Sequence, residues 1–190
     1  MAQRRRLPGK LRILPQELLR PRHGLGAEGS RGDRRQPRRR FRRPLERRSA
    51  GPVRAWRRSR PHVRQFIEAV HAAGIATCVA SSARVSKMHI TLGQTGLLPL
   101  FEHALFSSTM VSRGKPFPDL FLHAASTMGF APADCIVIED SVAGTLAGIA
   151  AGMRVFSYYG DPHSDRDGLT EAGGILFHDM RELAGLVPIP

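Results

Sequence analysis

Cysteine is almost missing: Cys78 and Cys135 are the only two in 190 residues, far apart and each inside an apolar run. That excludes a disulfide-stapled secreted scaffold and a zinc site built from four thiolates. No apolar run reaches the ~18 residues of a membrane span, and the start of the chain has no apolar core of the kind a secretory signal needs. The expectation is a cytoplasmic protein with no membrane attachment. Lysine is scarce too, with two after residue 61, and so is aspartate early on, with Asp33 alone in the first sixty residues.

What is abundant is arginine, and it is confined to one end. Residues 1–60 hold 21 basic and 4 acidic residues, a net +17, whereas residues 61–190 hold 8 basic and 12 acidic, a net −4. The overall +13 therefore describes a tail rather than a domain. With six Pro, six Gly and scattered apolar residues, 1–60 cannot bury enough apolar surface to offset its ordering entropy, and its like charges repel. It reads as an Arg-rich disordered tail, with a helical turn over Gln16–Arg20. Three readings stay open. It is an inert solvated tail; or it is an arm for nucleic-acid phosphates, with Phe41 and Trp56 as stacking groups; or its 20:1 Arg:Lys ratio reflects a G/C-rich coding region read in a wrong frame or from a wrong start. The acid-poor start also fits an organelle transit peptide, although twenty arginines in sixty residues is excessive for one.

Near Pro61 the texture changes. Val63, Phe66, Ile67 and Val70 fall on one helical face, closed by Gly74. A β-prone run follows at Ile75–Ala80, then a helix at Val85–Thr95, a short strand at Ala104–Ser107 and a helix at Asp119–Met128. Cys135–Ile138 is an apolar strand of the buried parallel type. Val142–Ala151 is a small-residue helix that must pack closely. Arg154–Phe156 and Ile175–Phe177 are strands, and Asp179–Leu186 is a helix. Strands alternating with helices imply an α/β fold with a parallel sheet, organised over 61–190. Ligands in such folds sit beyond the carboxyl ends of the strands, so the residues following each strand matter most.

Ser81-Ser82 follows a strand and precedes a helix, where hydroxyls and backbone N–H groups cradle phosphate; serine is equally a common helix cap. Gly114-Lys115-Pro116-Phe117-Pro118-Asp119 fixes a cation between glycine and proline, suited to neutralising a phosphate and a carboxylate at once; the plainer reading is a polar turn before a helix, with Asp119 as its N-terminal carboxylate. Ile138-Glu139-Asp140-Ser141 sets two carboxylates at the end of a buried strand, a costly arrangement unless a cation or hydrogen bonds compensate it. Such hard oxygens suit Mg²⁺; otherwise they are one cap and one surface acid.

Taken in order, Val79-Ala80-Ser81-Ser82-Ala83, the Gly-Lys-Pro-x-Pro-Asp stretch and Ile138-Glu139-Asp140-Ser141-x-x-Gly144 resemble the second, third and fourth motifs of the haloacid dehalogenase (HAD) superfamily, in its phosphatase and β-phosphoglucomutase-like branch. The resemblance spans about residues 61–190. It implies a Rossmann-like parallel sheet and Mg²⁺-dependent phosphoryl transfer from a small phosphate ester, such as a sugar phosphate, first to an aspartate and then to water. Ser81 and the backbone N–H of Ser82 would bind the phosphoryl group. Lys115 would pair with phosphate and nucleophile, with a Lys115–Pro116 bond that is often cis in the family. Asp140 would ligate Mg²⁺, with Glu139 as a further ligand or its support.

The family's first motif, Asp-x-Asp-Gly after a buried strand, is absent from residues 1–60, as is the helical cap domain that follows it. Without the nucleophilic aspartate the chain is expected to show little activity, or to be a non-catalytic remnant. Asp165-Arg166-Asp167-Gly168 follows a polar loop and reads as a helix cap. The first-motif strand belongs at the centre of the family's sheet, so its loss is expected to leave a gap with two exposed inner edges. Lys10–Leu14 is the only upstream run that might fill it, with no carboxylate at its end.

Overall fold

The computed structural model describes residues 11–14, 59–101 and 103–187. Six parallel strands form one sheet: β1 (Leu11–Leu14), β2 (Thr77–Ser81), β3 (Leu105–Ser107), β4 (Cys135–Glu139), β5 (Arg154–Tyr158) and β6 (Ile175–Phe177), in the order β3-β2-β1-β4-β5-β6. The helices are α1 (Val63–Ala72), α2 (Val85–Thr95), α3 (Asp119–Met128), α4 (Val142–Ala150), α5 (Arg166–Glu171) and α6 (Leu183–Leu186). The α/β parallel sheet expected from the alternating pattern is present.

The expected gap is not. Residues Leu11–Leu14 occupy the centre of the sheet, with Ile13 in register with Cys78 on one side and Val137 on the other. The organised fold therefore draws on the Arg-rich segment as well as on the residues from Ser59 onward. The expectation of a gap follows from the missing Asp-x-Asp-Gly motif, but the strand does not need that motif: Lys10–Leu14, the only upstream run able to fill the place, supplies it, with Arg12 fully buried. The remaining expectations for the first sixty residues, disorder and a Gln16–Arg20 turn among them, lie outside the described residues.

Strands β2 and β4 are buried at every position, as a sheet covered on both faces requires. On one face Leu14, Val79, Ile136, Ile138 and Phe156 pack against Val63, Ile67 and Val70 of α1 and Met88 and Leu92 of α2. On the other, Ile13, Cys78, Ala80, Val137 and Val155 meet Leu120, Phe121 and Ala124 of α3 and Ala147 of α4. Helix α4 comes close enough that a Cβ on Gly148 would stand 2.6 Å from Val155 Cγ2. Gly96 and Gly129, at φ 67° and 82°, end α2 and α3 in the left-handed region that favours glycine.

The last helix is shorter than its sequence pattern predicts. Asp179 accepts the Arg181 N–H at 2.9 Å, and Glu182 accepts the Asp179 N–H at 3.1 Å. These side chains hold the backbone in a turn until Leu183, an alternative that competes with helix formation.

Candidate phosphate site

Parallel strands deliver their last residues to one rim. Ser81 ends β2 beside Ser107, which ends β3, and Glu139 ends β4 beside Ser157 of β5. Lys115 reaches this rim from the loop between β3 and α3, immediately before the cis bond to Pro116. Its ammonium donates to the Ala80 carbonyl at 3.3 Å and forms an ion pair with Glu139 Oε1. It therefore bridges the ends of β2 and β4, the two neighbours of the central strand. It also lies 4.9 Å from the centroid of the Phe121 ring.

Burial makes this pair consequential. The side chains of Lys115 and Glu139 are 6% and 1% exposed. A carboxylate so far from water persists only if its lone pairs are satisfied. Glu139 Oε2 accepts from the Ser141 hydroxyl at 2.9 Å and from the backbone N–H groups of Asp140 and Ser141 at 3.2 and 3.3 Å. The Ser141 hydroxyl in turn accepts the Gly144 N–H at 3.1 Å, capping α4. A side chain at Gly144 would collide with the Glu139 carboxylate, which explains a glycine three residues after the cap.

On the β2 side, Ser81 is fully buried, and its hydroxyl accepts the Ala83 N–H at 3.1 Å. Ser82 is exposed, with its carbonyl held by the Ser108 hydroxyl at 2.9 Å. The Ser107 hydroxyl donates to the Ala83 carbonyl at 2.9 Å. The turn after β2 is thus pinned to the end of β3. Ser81, Lys115 and Glu139 are brought together, and Asp140 follows Glu139 as a half-exposed carboxylate. A hydroxyl, an ammonium and a turn of backbone N–H groups at one rim have the chemistry of an anion cradle. Asp165 accepts the Gly168 N–H at 3.0 Å and caps α5, as its polar context predicted.

Among the described residues the ligand set for a divalent metal is incomplete. Glu139 directs both carboxylate oxygens to Lys115, Ser141 and backbone N–H groups, which places it in a supporting role around the lysine. The described residues contain no group of three His, Cys, Asp or Glu side chains able to hold a metal ion. Asp140, next to Glu139 at the end of β4, is the other carboxylate of this motif among the described residues.

Two functional-looking residues escaped the sequence reading. Arg60 forks onto Asp161, with Nη1 2.7 Å from Oδ1 and Nη2 on Oδ2, and its guanidinium sits 4.7 Å from the centroid of the Tyr158 ring. Burial works against the charged guanidinium, but the hydrogen bonds and charge of Asp161, with help from Tyr158 and Asp140, outweigh it and raise the Arg60 pKa. Arg60 was one arginine among twenty, and its partner lies 101 residues away.

No helix among the described residues is long and apolar enough to cross a membrane. Among curated proteins, the chain is 42% identical over 87 residues to the 6-phosphogluconate phosphatase of Escherichia coli, covering 46% of this chain and 39% of that one. It is 51% identical over 73 residues to hexitol phosphatase A of the same organism, covering 38% and 32%. The chain thus spans well under half the length of either relative. A solved HAD family hydrolase from Deinococcus radiodurans, with bound phosphate and sodium, superimposes with a TM-score of 0.64 at 32% identity, covering 68% of this chain and 59% of that one. The family model for haloacid dehalogenase-like hydrolases matches residues 6–152. That match takes in the central strand and all three rim motifs, and the chain belongs to the haloacid dehalogenase-like hydrolase family.

Proposed function

We propose that the chain binds small phosphate esters of the sugar-phosphate type at this rim. Lys115 and Ser81 contact the phosphoryl group, with the Ser82 N–H assisting. The observation that carries this reading is the lysine bridging the ends of β2 and β4, a fixed cation beside a hydroxyl-bearing turn. The phosphatases among its relatives support the substrate class.

Turnover by this chain is proposed to be low. The residues that follow β1 in the sequence are Pro15 and Gln16, neither of which can act as a carboxylate nucleophile. The magnesium dependence implied by the family has one candidate ligand among the described residues, Asp140, while Glu139 is assigned to holding Lys115.

The test is a paired measurement on the full chain. Inorganic phosphate is expected to bind, read as ³¹P line broadening that weakens in Ser81→Ala. Hydrolysis of p-nitrophenyl phosphate with Mg²⁺ is expected to stay near background. Absence of phosphate binding would overturn the site, and robust hydrolysis lost in Asp140→Ala would overturn the proposed inactivity.

A further inference from the structure

The turn that follows β2 is steered from β3. Ser107 ends β3 level with Ser81 at the end of β2, so Ser108 is the first residue beyond the sheet on that side. Its hydroxyl donates at 2.9 Å to the Ser82 carbonyl, 26 residues away in the chain. The same peptide unit carries the Ala83 N–H, which donates to Ser81 Oγ at 3.1 Å. The Ser108 hydroxyl, the Ser82–Ala83 peptide and the Ser81 hydroxyl thus form one hydrogen-bonded chain. The 3₁₀ turn Ser108–Met110 is capped by Ser107, whose oxygen accepts the Thr109 N–H at 3.2 Å. The Ser108 hydroxyl is therefore directed across to the neighbouring strand end rather than to its own turn. Ser108 also borders the loop that carries the lysine, since a Cβ on Gly114 would stand 3.7 Å from Ser108 Cβ.

We propose that Ser108 is a positioning residue of the phosphate site: by holding the Ser82 carbonyl it fixes the Ser82–Ala83 peptide plane and makes the Ser81 hydroxyl a stronger donor to the phosphoryl group. The proposal rests on the phosphate-site reading. Two physical effects act in the same direction. A peptide unit is planar, so a carbonyl fixed toward β3 aims the following N–H the opposite way, at Ser81. Without the Ser108 hydroxyl that plane rocks, and a rocking donor is a poorer preorganised partner for an anion. The second effect is polarisation. A peptide whose carbonyl accepts a hydrogen bond has a stronger N–H donor, and a hydroxyl oxygen that receives this N–H has in turn a stronger O–H. Ser107 steadies the next peptide through the Ala83 carbonyl, but it is wholly buried. Ser108 is half-buried, so its hydroxyl can be removed without opening the core.

The test is a double-mutant cycle on the full chain, with inorganic phosphate as the probe and ³¹P line broadening as the readout. Ser108→Ala is expected to weaken phosphate binding about threefold to tenfold, the size of one hydrogen bond, with the urea midpoint unchanged. Ser108→Thr, which keeps the hydroxyl, is expected to bind as wild type does. Ser108→Val, of threonine's shape without the hydroxyl, is expected to bind as weakly as Ser108→Ala. In the Ser81→Ala background, adding Ser108→Ala is expected to change nothing further, because the chain of hydrogen bonds has lost its end. The Ala83 amide proton is expected to move upfield in Ser108→Ala, a mark of a weakened hydrogen bond that a general loosening of the fold would not confine to this residue. Wild-type affinity in Ser108→Ala and Ser108→Val, a loss of equal size with and without the Ser81 hydroxyl, or an unmoved Ala83 resonance would each overturn the positioning role while leaving the phosphate site in place. A wild type that binds no phosphate overturns the phosphate-site reading itself, and the positioning role with it.

Discussion

Lys115 and Glu139 illustrate how a site residue is also a stability residue. Each is almost solvent-free, so removing one strands the other as an uncompensated buried charge. Lys115→Ala is expected to destabilise the fold by about 3–5 kcal/mol, measured by urea unfolding. Pairing Lys115→Met with Glu139→Leu is expected to recover much of that loss, because the stranded charge is gone. The cysteines behave in the opposite way, as inert filling. Burial pushes the Cys78 thiol up, with Cys135 adding to the effect. Burial, with Asp134 adding and Arg12 opposing, raises Cys135 to about 11. Little thiolate therefore exists near neutral pH, and Ellman's reagent is expected to react with neither thiol until urea unfolds the chain; fast labelling of the native protein would contradict their burial. At this scale the rim was legible because Ser81, Lys115, Glu139 and Asp140 carry local signals: a strand end, a Gly-Lys-Pro turn, an apolar run ending in acids. That Glu139 pairs with the lysine was not legible, because it depends on which atoms face each other across separate strands.

Two elements show where pattern reading succeeds and fails. Helix α4 was readable from its small residues, and the structure gives the reason: Gly144 and Gly148 allow it to lie on the Glu139 carboxylate and on Val155. Gly148→Ala is expected to cost about 1–3 kcal/mol through overpacking, visible as a lower urea midpoint, even though alanine is the better helix former. Strand β1 was the harder case. It is four residues long and carries Arg12 at a fully buried position. Burial lowers the Arg12 pKa to about 10, Cys135 opposing and Arg154 adding to the fall. Lys10–Leu14 stands out as the only upstream run able to fill the centre, but an arginine at an inward position within a stretch full of arginines leaves its signal faint. Its neighbour Ile13 is wholly buried between β2 and β4. Ile13→Ala is therefore expected to cost about 2–5 kcal/mol, a loss that a solvated tail would not show.

For the molecule as a whole, the parallel sheet and its order of layers followed from strands alternating with helices. The middle strand was legible only as a candidate, Lys10–Leu14, since its pairing depends on partners far away in the chain. A protein beginning at Ser59 would present the inner edges of β2 and β4 to solvent, with their backbone groups unpaired. Such a chain is expected to lose the cooperative urea transition and to scatter light as it associates; a sharp, reversible transition would show that β1 is dispensable. The centre of this sheet is filled by a short strand hydrogen-bonded to β2 and β4 and linked covalently to the rest of the described fold only through residues 15–58. Nothing in the hydrogen-bond ladder demands that this strand belong to the same polypeptide, so a separate peptide bearing Leu11–Leu14 has a slot waiting for it in trans, which makes the fold a candidate for division into two complementing pieces.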